Sequence, residues 1–372
     1  MTDTSIPTPP VAPIEETHFP CDTCGADMRF DPARAMLICD HCGNTEELSS
    51  GFQVAPIAEL DFEQALRNAL PQSEIEETRV SKCPNCAAEV AFDADLHATE
   101  CPFCATPVVA DTGVHRHIKP RGVLPFHLDE RTAHSAMNDW LGRLWFAPNG
   151  LKEYARKGRK MQGIYVPYWT YDADTASRYT GQRGTVYYET RRVVHNGKSS
   201  TQRVAKVRWR PVSGHVTRFF DDVLVLGSTS LPKKFTDALA PWDLSHLEPY
   251  APEYLAGFRA EGYSVDLQGG YKEAREIMNA TIQRDIKFDI GGDRQRIGSV
   301  DTTVRDVTFK HILLPVWLAA YKYRGETYRF VVNGRTGRVQ GERPYSAIKI
   351  AIAVIAGAIV AAAFGYFYAM NQ

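Results

Sequence analysis

Residues 185–209 read TVYYETRRVVHNGKSSTQRVAKVRW, two runs rich in β-branched and aromatic residues on either side of Asn196-Gly197. An Asn-Gly pair between two such runs is the strongest local signal for a two-residue hairpin turn, because both turn positions need a positive φ. The segment therefore predicts a long antiparallel hairpin, around which the rest of the chain is arranged.

Helical patterns lie on both sides of this hairpin. Residues 129–146, DERTAHSAMNDWLGRLWF, have the apolar period of an amphipathic helix with an acidic first turn. A second helix is predicted from Tyr271 to Ile286, opened by Gly269-Gly270. Local hairpins separated by helices favour a mostly antiparallel sheet, so residues 111–345 are predicted to form an α+β body.

More strands are predicted after the second helix. They run through TFKHILLPVWLAAYKY, 308–323, and ETYRFVVNGRTGRV, 326–339, with turns at Arg324-Gly325 and Asn333-Gly334. HILLPVWLAAY shares an apolar run followed by Pro-x-Trp with GIYVPYWTYDA at 163–173. This match indicates two half-repeats in the body, with each proline at a sheet edge or bulge and both tryptophans in the core.

All eight cysteines belong to one motif that occurs twice. CDTCGADMRFDPARAMLICDHC, 21–42, and CPNCAAEVAFDADLHATECPFC, 83–104, both read C-x2-C, fourteen residues, C-x2-C, with counterparts 62 positions apart. Two C-x2-C pairs bring four thiolates into a tetrahedron, the geometry that Zn²⁺ prefers. The predicted ligands of two structural zinc ions are Cys21, Cys24, Cys39, Cys42, Cys83, Cys86, Cys101 and Cys104.

Zinc ribbons are therefore predicted over residues 19–50 and 81–110. Disulfides would need an oxidising compartment, a redox motif would not come as two matched pairs, and iron is the remaining alternative metal. A ribbon of about thirty residues buries too little apolar surface to fold without its metal. The loop of the second ribbon has several acids and no Lys or Arg, which favours protein contact over phosphate binding.

Two further segments lie outside the ribbons and the body. Residues 51–80 are acidic and are interpreted as a solvated, flexible spacer with one short helix, DFEQALRNAL, stopped by Pro71. Residues 1–18 are rich in Pro and Thr without an apolar core, so a disordered tail is expected there and an N-terminal signal peptide is not.

The segment IAIAVIAGAIVAAAFGYFYA, 350–369, has twenty residues and no charge. At ~1.5 Å per residue, a helix of this length crosses one hydrocarbon core of about 30 Å. A single membrane helix is predicted over residues 347–370, and the alternative is a buried helix of a soluble core. Basic residues precede this segment and none follows it, so the positive-inside rule predicts a tail-anchored protein of the bacterial cell membrane with its body in the cytoplasm.

Small residues recur at four-residue intervals inside the apolar segment. These residues are Gly357, Ala361 and Gly365. Such spacing lets two membrane helices approach closely, which makes a homo-oligomer through this face one interpretation and an ordinary Ala/Gly-rich anchor the other.

The predicted hairpin carries ten basic residues between positions 178 and 218 and a single acid, Glu189. The residues expected to bind an anionic surface are Arg191, Arg192, Arg203, Lys206, Arg208 and Arg210. With Tyr188 and Trp209 interleaved, the surface suits lipid headgroups, an acidic partner or nucleic acid. A solvated strand face without a partner is the alternative.

Neither composition nor motifs indicate catalysis. The chain has 372 residues and a formal net charge of −1, which does not mark the whole protein as a nucleic-acid binder. It contains no P-loop, H-E-x-x-H, G-x-S-x-G or G-x-G-x-x-G, and every cysteine is assigned to a ribbon. No catalytic residue is predicted.

The chain resembles the bacterial membrane proteins described as TFIIB-type zinc-ribbon proteins, from about Phe19 to the apolar segment. The features that carry the resemblance are the double cysteine motif, VLPFHLDERTA, GIYVPYWTYDA and LLPVWLAAYKYRGETYRFVVNGRTGRVQGERPYS. That family is often labelled as a primosomal or superfamily II helicase, but this chain has no ATPase motif. Some of its members accompany SPFH-domain and phage-shock-type proteins, which implies a membrane receptor or scaffold in envelope stress.

The sequence therefore predicts a non-enzymatic, tail-anchored scaffold. Two zinc ribbons at its free end would recruit a cytoplasmic protein partner, of SPFH or phage-shock type by the resemblance. The alternative is a membrane-tethered nucleic-acid binder that uses the ribbons and the basic hairpin, residues 178–218.

Overall fold

The computed structural model describes residues 14–16, 19–48, 57–82, 89–91, 98–100, 107–109, 113–148, 160–195, 198–323, 326–342 and 345–370. The α-helices in these residues are α1 Phe62–Leu66, α2 Glu130–Arg143, α3 Lys233–Asp237, α4 Leu267–Ile290 and α5 Ala347–Met370, and the 3-10 helices are Gln72–Glu74, Leu244–His246 and Pro252–Leu255. The strands are β1 Ile14–Glu16, β2 Met28–Asp31, β3 Met36–Cys39, β4 Thr45–Glu47, β5 Leu60–Asp61, β6 Ile75–Lys82, β7 Glu89–Ala91, β8 Ala98–Glu100, β9 Pro107–Val109, β10 Gly113–Ile118, β11 Gly122–Val123, β12 Gln162–His195, β13 Lys198–Leu226, β14 Glu248–Pro249, β15 Arg259–Glu261, β16 Arg294–Tyr323, β17 Glu326–Asn333 and β18 Val339–Gly341.

Three very long strands dominate this mixed α/β fold, and its sheets are mostly antiparallel, as predicted. β13 pairs antiparallel with one edge of β12 as far as His195 and Lys198. β16 pairs antiparallel with the other edge, where the pairing ends at Gly184 and Arg294. The predicted hairpin is confirmed, although its turn, residues 196–197, lies outside the described residues. Short strands complete a ten-stranded sheet around the central β12–β16 pair.

The two Pro-x-Trp segments are antiparallel neighbours at the centre of this sheet. Val166 lies opposite Leu314, and the register is symmetrical on either side of that pair. Trp169 and Trp317 each lie three residues beyond it, on β12 and β16. A local twofold axis through the Val166–Leu314 pair therefore relates the two strands.

The same axis relates the elements that precede each long strand. β11 runs parallel to β16, and its counterpart β15 runs parallel to β12. Trp317 Nε1 donates to Leu128 O, and Trp169 Nε1 donates to Val265 O, both at 2.9 Å. Each half thus has the order strand, capped helix, long strand, return strand: β11, α2, β12 and β13 in the first, and β15, α4, β16 and β17 in the second. β11 of the first half pairs with β16 of the second, and β15 of the second half pairs with β12 of the first.

Both prolines occupy interior positions of these central strands, so the prediction of an edge or a bulge is wrong. Pro167 O accepts a hydrogen bond from Gly227 N, and Pro315 O accepts one from Gly334 N, both at 2.9 Å. Each proline lies where one flanking strand has ended and the next begins. In this gap no strand carbonyl requires a hydrogen bond from the proline nitrogen, so the sheet tolerates a residue without a backbone N–H.

Both predicted helices are confirmed, and each begins at an aspartate cap. Asp129 Oδ1 accepts from Thr132 N, and Asp266 Oδ1 accepts from Gly269 N, both at 2.8 Å. Because Asp266 is the cap, α4 begins at Leu267, before its predicted start. α4 then places a row of apolar and small residues against the sheet: Leu267, Gly270, Ala274, Met278, Ile282, Ile286 and Ile290.

Helices α2 and α4 cover the same face of the sheet, which we call the helix face. α2 packs at one end, over Trp317 and Phe330, and α4 packs at the other, over Trp169 and Tyr171. The opposite face of the central pair is covered by α3 and the segment that follows it. The centre of the sheet is therefore buried on both sides, which explains the continuous apolar runs of β12 and β16.

Residues 59–62 pack on the folded body, so the interpretation of residues 51–80 as a solvated spacer is wrong at these positions, whereas the predicted short helix is confirmed as α1. Leu60 pairs with Phe309 on the edge of β16, and Asp61 caps the short helix α1. Phe62 is buried against Tyr171 and Tyr271. The acidic composition hid this role, because the few apolar residues of the segment are the ones that pack.

Candidate functional site

The first cysteine motif forms a four-thiol group at one end of the β2–β3–β4 sheet. The sulfur atoms of Cys21, Cys24, Cys39 and Cys42 lie within 4.8 Å of one another. Cys21 Sγ is 3.6 Å from Cys42 Sγ, and Cys24 Sγ is 3.5 Å from Cys39 Sγ. Four sulfurs at this spacing fit around one tetrahedral metal ion, so the group could hold a metal.

Two matching turns place these sulfurs. In the first, Gly25 N donates to Cys21 O at 2.8 Å, and in the second Gly43 N donates to Cys39 O at 2.9 Å. Gly25 has φ +73° and Gly43 has φ +76°, conformations that glycine adopts without strain. The C-x2-C-G pattern therefore encodes the turn as well as the ligands.

The pKa values of the four thiols favour a bound cation. Burial opposes ionisation of Cys21, but the backbone N–H groups of Thr23 and Cys24 donate to its sulfur and lower its pKa to about 6. The N–H of Asn44 favours the thiolate of Cys42 in the same way, but burial and the three neighbouring sulfurs raise its pKa to about 12. Four thiolates therefore do not form together without a central positive charge, and a bound metal ion supplies one.

This first four-Cys unit is packed against the body, so the prediction that it lies at a free end is wrong. Phe30 N donates to Ala256 O at 2.9 Å, and the Phe30 ring lies 5.5 Å from Tyr254. Met28, Phe30 and Leu37 belong to the same buried cluster as α2. Its inner face is therefore a structural contact with the sheet domain.

The cysteines of the second motif, Cys83, Cys86, Cys101 and Cys104, lie outside the described residues. One strand pair beside them repeats the register of the first unit. β8 pairs with β9 in the register Ala98–Val109, and β3 pairs with β4 in the register Met36–Glu47. Both positions differ by 62, the offset between the two cysteine motifs. The match is limited to this pair, because β7, at the position of β2, pairs with β6 among the described residues.

Near Gly184, where the pairing of β12 with the first residues of β16 stops, β12 and β13 continue as a two-stranded ribbon. We call this ribbon the outer hairpin, residues 183–195 and 198–210. Residues that lie opposite each other in the ladder share a face. The six predicted anion-binding residues are therefore split between two faces. Arg192 and Arg203 lie on the face opposite the helices, whereas Arg191, Lys206, Arg208 and Arg210 lie on the helix face.

Arginines stack on aromatic rings on both faces of the outer hairpin. On the face opposite the helices, the Arg203 guanidinium lies 4.8 Å from the Tyr188 ring, and that of Arg296 lies 4.0 Å from Trp209. On the helix face, Arg208 lies 5.2 Å from Tyr187. Such pairs hold the guanidinium groups in an extended layer with most of their N–H donors exposed.

Lys206 is less available than the arginines. Its Nζ forms an ion pair with Glu189, the single acid of the basic stretch, and this partner raises the pKa of Lys206. Positive charge on the hairpin is therefore less available at Lys206 than at exposed arginines such as Arg203 and Arg208.

Helix α5 is long and apolar enough to cross a membrane: Ala347–Tyr368 has 22 residues and a mean hydropathy of 2.4. None of its described side chains is buried by the rest of the chain. Gly357, Ala361 and Gly365 share one exposed face, and no described atom lies within 4 Å of a Cβ built at either glycine. Self-association through this face stays a prediction.

The sequence does not predict the ion-pair cluster around the buried Lys310. Lys310 Nζ lies 2.9 Å from Glu59 Oε1 and 2.8 Å from Asp222 Oδ1. Asp172 Oδ1 accepts a hydrogen bond from Asp222 N at 2.6 Å, at a bulge where Asp222 has φ +52°. Asp172 inside an apolar strand run was the available sequence signal, since an acid in a buried strand needs a partner.

No family model matches the chain, and no solved structure matches it. It is similar to a Bacillus subtilis (strain 168) protein described as uncharacterized protein YdjG, with 24% identity over 334 residues. The alignment covers 90% of this chain and 92% of that protein. Because that description names no activity, function is argued from the residues of this chain.

Proposed function

We propose that the chain is a non-enzymatic scaffold, anchored by α5 in the bacterial cell membrane with its body in the cytoplasm, that presents the outer hairpin to an acidic protein partner. One observation carries the proposal: a sheet buried on both faces at its centre continues into a ribbon exposed on both faces and lined with arginine. Sheet edges and faces left open in this way are expected to be either protected or used for binding.

The position of the hairpin supports a partner away from the bilayer. The chain leaves the sheet through β18, which runs toward the end of β16 near Tyr323, opposite the outer hairpin. At ~3.3 Å per residue, the 34 residues of β12 cover a path of about 110 Å from that end to His195. An acidic protein surface is therefore a better match than the headgroups around α5.

We further propose that the four-Cys group around Cys21 holds a structural Zn²⁺, and that the second cysteine motif holds another. Zn²⁺ bound by four thiolates has no open position for a substrate, and it contributes folding energy to a unit too small to fold alone. The packing of Met28 and Phe30 then makes the metal part of the stability of the sheet domain. Recruitment would rest on the outer hairpin rather than on this first unit.

A membrane-tethered nucleic-acid binder is the second candidate, favoured by the stacking of Arg203 on Tyr188 and Arg296 on Trp209. Exposed aromatic and arginine groups on one strand face suit single-stranded nucleic acid, whose bases stack on such rings. Binding of that kind weakens steeply with salt, because each phosphate contact releases counterions.

The test is a pull-down of the full-length protein from membranes in mild detergent, with and without nuclease, quantifying protein and nucleic acid. The hairpin variant carries Arg203→Gln, Arg208→Gln and Arg210→Gln. The matched control removes three exposed arginines elsewhere, Arg34→Gln, Arg67→Gln and Arg284→Gln. A stoichiometric protein partner that survives nuclease, persists in the control and is lost in the hairpin variant supports the scaffold. Nucleic acid lost only in the hairpin variant moves the assignment to the second candidate.

A further inference from the structure

A short aromatic loop follows α2, and its residues alternate between the core and solvent. Leu144 and Ala147 are buried among the residues that α2 packs against. Between them, Trp145 is 78% exposed and Phe146 is 39% exposed. The loop is therefore held firmly at two points while it projects two large apolar rings outward, an arrangement that leaves much apolar surface in water.

The same loop is tied to the first turn of α5. Ser346 N donates to Phe146 O at 2.8 Å. Lys349 Nζ donates to Ala147 O at 2.8 Å and to Trp145 O at 3.3 Å. Because Lys349 is the last charged residue before the apolar run, these contacts place the aromatic loop level with the start of that run.

Other exposed apolar groups lie beside the aromatic loop at the start of α5. Tyr345 and Ile348, at the start of α5, are also largely exposed apolar side chains. Trp and Tyr favour the boundary between hydrocarbon and headgroups, where the ring is apolar and its N–H or O–H stays hydrated. The ammonium group of Lys349 also lies at this level, where it donates to the loop carbonyls.

We propose that the aromatic loop, residues 144–148, is a second membrane contact: Trp145 and Phe146 enter the interfacial layer of the bilayer that α5 crosses. This inference rests on the proposed membrane anchoring by α5. The occupant is the lipid interface rather than a second protein, because the loop continues the surface of an apolar helix whose own side chains need lipid. Two contacts on one bilayer would orient the body, whereas a single helix would let it rotate freely.

Reconstituted full-length protein provides the test. The vesicles contain phosphatidylcholine and phosphatidylglycerol with acyl chains brominated near the headgroup, which quench only tryptophans at shallow depth. Flotation of the vesicles reports anchoring by α5 independently of the quenching. The chain has six tryptophans, so quenching of Trp145 alone removes about one sixth of the emission.

Three proteins are compared: wild type, Trp145→Phe and Trp209→Phe. Phenylalanine keeps the apolar character of each position, so both variants are expected to fold and float. The expected result is bromolipid quenching in wild type and Trp209→Phe and its loss in Trp145→Phe. If all three proteins float and quenching is equal in all of them, α5 anchors the chain but the loop does not contact lipid, and the inference is overturned.

Two other outcomes also overturn it. Loss of quenching in Trp209→Phe instead would place the outer hairpin on the bilayer and leave the loop free. Failure of wild type to float would remove the membrane anchoring and the loop contact together. A Lys349→Met variant serves as a second check, because it removes the hydrogen bonds to the loop and should reduce the quenching of Trp145 without preventing flotation.

Discussion

Strand β12 passes through two environments with one continuous backbone ladder. Residues 164–173 are all buried, because helices cover one face and a second layer covers the other. Residues 185–192 pair just as regularly with β13, but none of them is buried. Backbone pairing alone therefore does not make a core: the inner part of the sheet is stabilised by burial, and the outer hairpin keeps surface free for binding.

The largest expected difference between the inner sheet and the outer hairpin is their response to loss of the metal. Cys39→Ser should abolish metal binding at the first four-Cys unit, because a structural zinc site needs all four ligands. The loss should be large, since structural Zn²⁺ contributes roughly 10–16 kcal/mol of apparent binding energy in small zinc-finger peptides. Residues 19–48 should become sensitive to protease and the body should lose stability, whereas the outer hairpin should keep its protection. Metal content by atomic emission and limited proteolysis measure this, with His41→Ala, an exposed non-ligand neighbour, as the control.

If the outer hairpin of Cys39→Ser lost its protease protection together with residues 19–48, the two regions would not be stabilised independently. An unchanged metal content would instead remove the assignment of Cys39 as a ligand.

Replacing one lysine on the inner sheet and one on the outer hairpin compares the strength of their ion pairs. Lys310→Met removes a buried counter-ion from two partly exposed carboxylates, Glu59 and Asp222, and should cost less unfolding free energy than the roughly 3–5 kcal/mol of a fully buried pair. Lys206→Met breaks an exposed pair with Glu189 and should change the unfolding free energy much less than Lys310→Met does. Urea unfolding of both variants gives the difference, and equal costs would show that the inner pair is solvated.

Stability should fall with rising pH because of the inner region. Burial, followed by the neighbouring Glu59, raises the pKa of Asp172 to about 7, above its ordinary value of 3.8. The folded state therefore keeps a proton that the unfolded state releases, and this contribution is complete below about pH 4 and lost as pH rises through about 7. Urea midpoints from pH 4 to 8 should decline in wild type.

Asp172→Asn should reduce that decline, because an amide cannot ionise and still accepts the hydrogen bond from Asp222 N. Part of the decline should remain, because burial also raises the pKa of Glu261 to about 7. Glu189→Gln, on the outer hairpin, should leave the slope as in wild type. A slope in Asp172→Asn that equals that of wild type would assign the whole titration to other groups.

Tryptophan replacements should have the smallest effects. Trp169→Phe removes the hydrogen bond to Val265 O inside the core and should cost about 1–3 kcal/mol, and Trp317→Phe should cost a similar amount because the twofold axis relates the two sites. Trp209→Phe on the outer hairpin should change stability by less than about 0.5 kcal/mol. Thermal unfolding measures all three, and unequal costs for Trp169 and Trp317 would argue against equivalent halves.

Local patterns predicted the local elements well. The Asn-Gly hairpin, the α2 period after Asp129 and the four-Cys spacing each depend on residues close in sequence, where turn and helix chemistry decide the conformation. Predictions failed where the partner was distant. Phe30 gave no sign that it packs on Ala256, and Glu59 gave no sign that it pairs with Lys310, because such contacts join residues that are far apart in the chain.

Faces were a second source of error. The sequence predicts one anionic-surface site on the hairpin, yet the ladder register places Arg203 on one face and Arg208 and Arg210 on the other. The alternation of a strand predicts that division in principle, but only the pairing register shows which residues of β13 join which residues of β12.

By itself, the sequence determined the four-Cys chemistry, the hairpin and the apolar terminal helix, because thiol spacing, turn conformation and hydrophobic length are local properties of the chain. Only the tertiary structure decided that the first four-Cys unit is docked on the body, that the two Pro-x-Trp strands meet on a twofold axis, and that Trp145 stands beside the first turn of α5. Those facts depend on which distant surfaces exclude water from each other, and that is settled by packing of the whole chain.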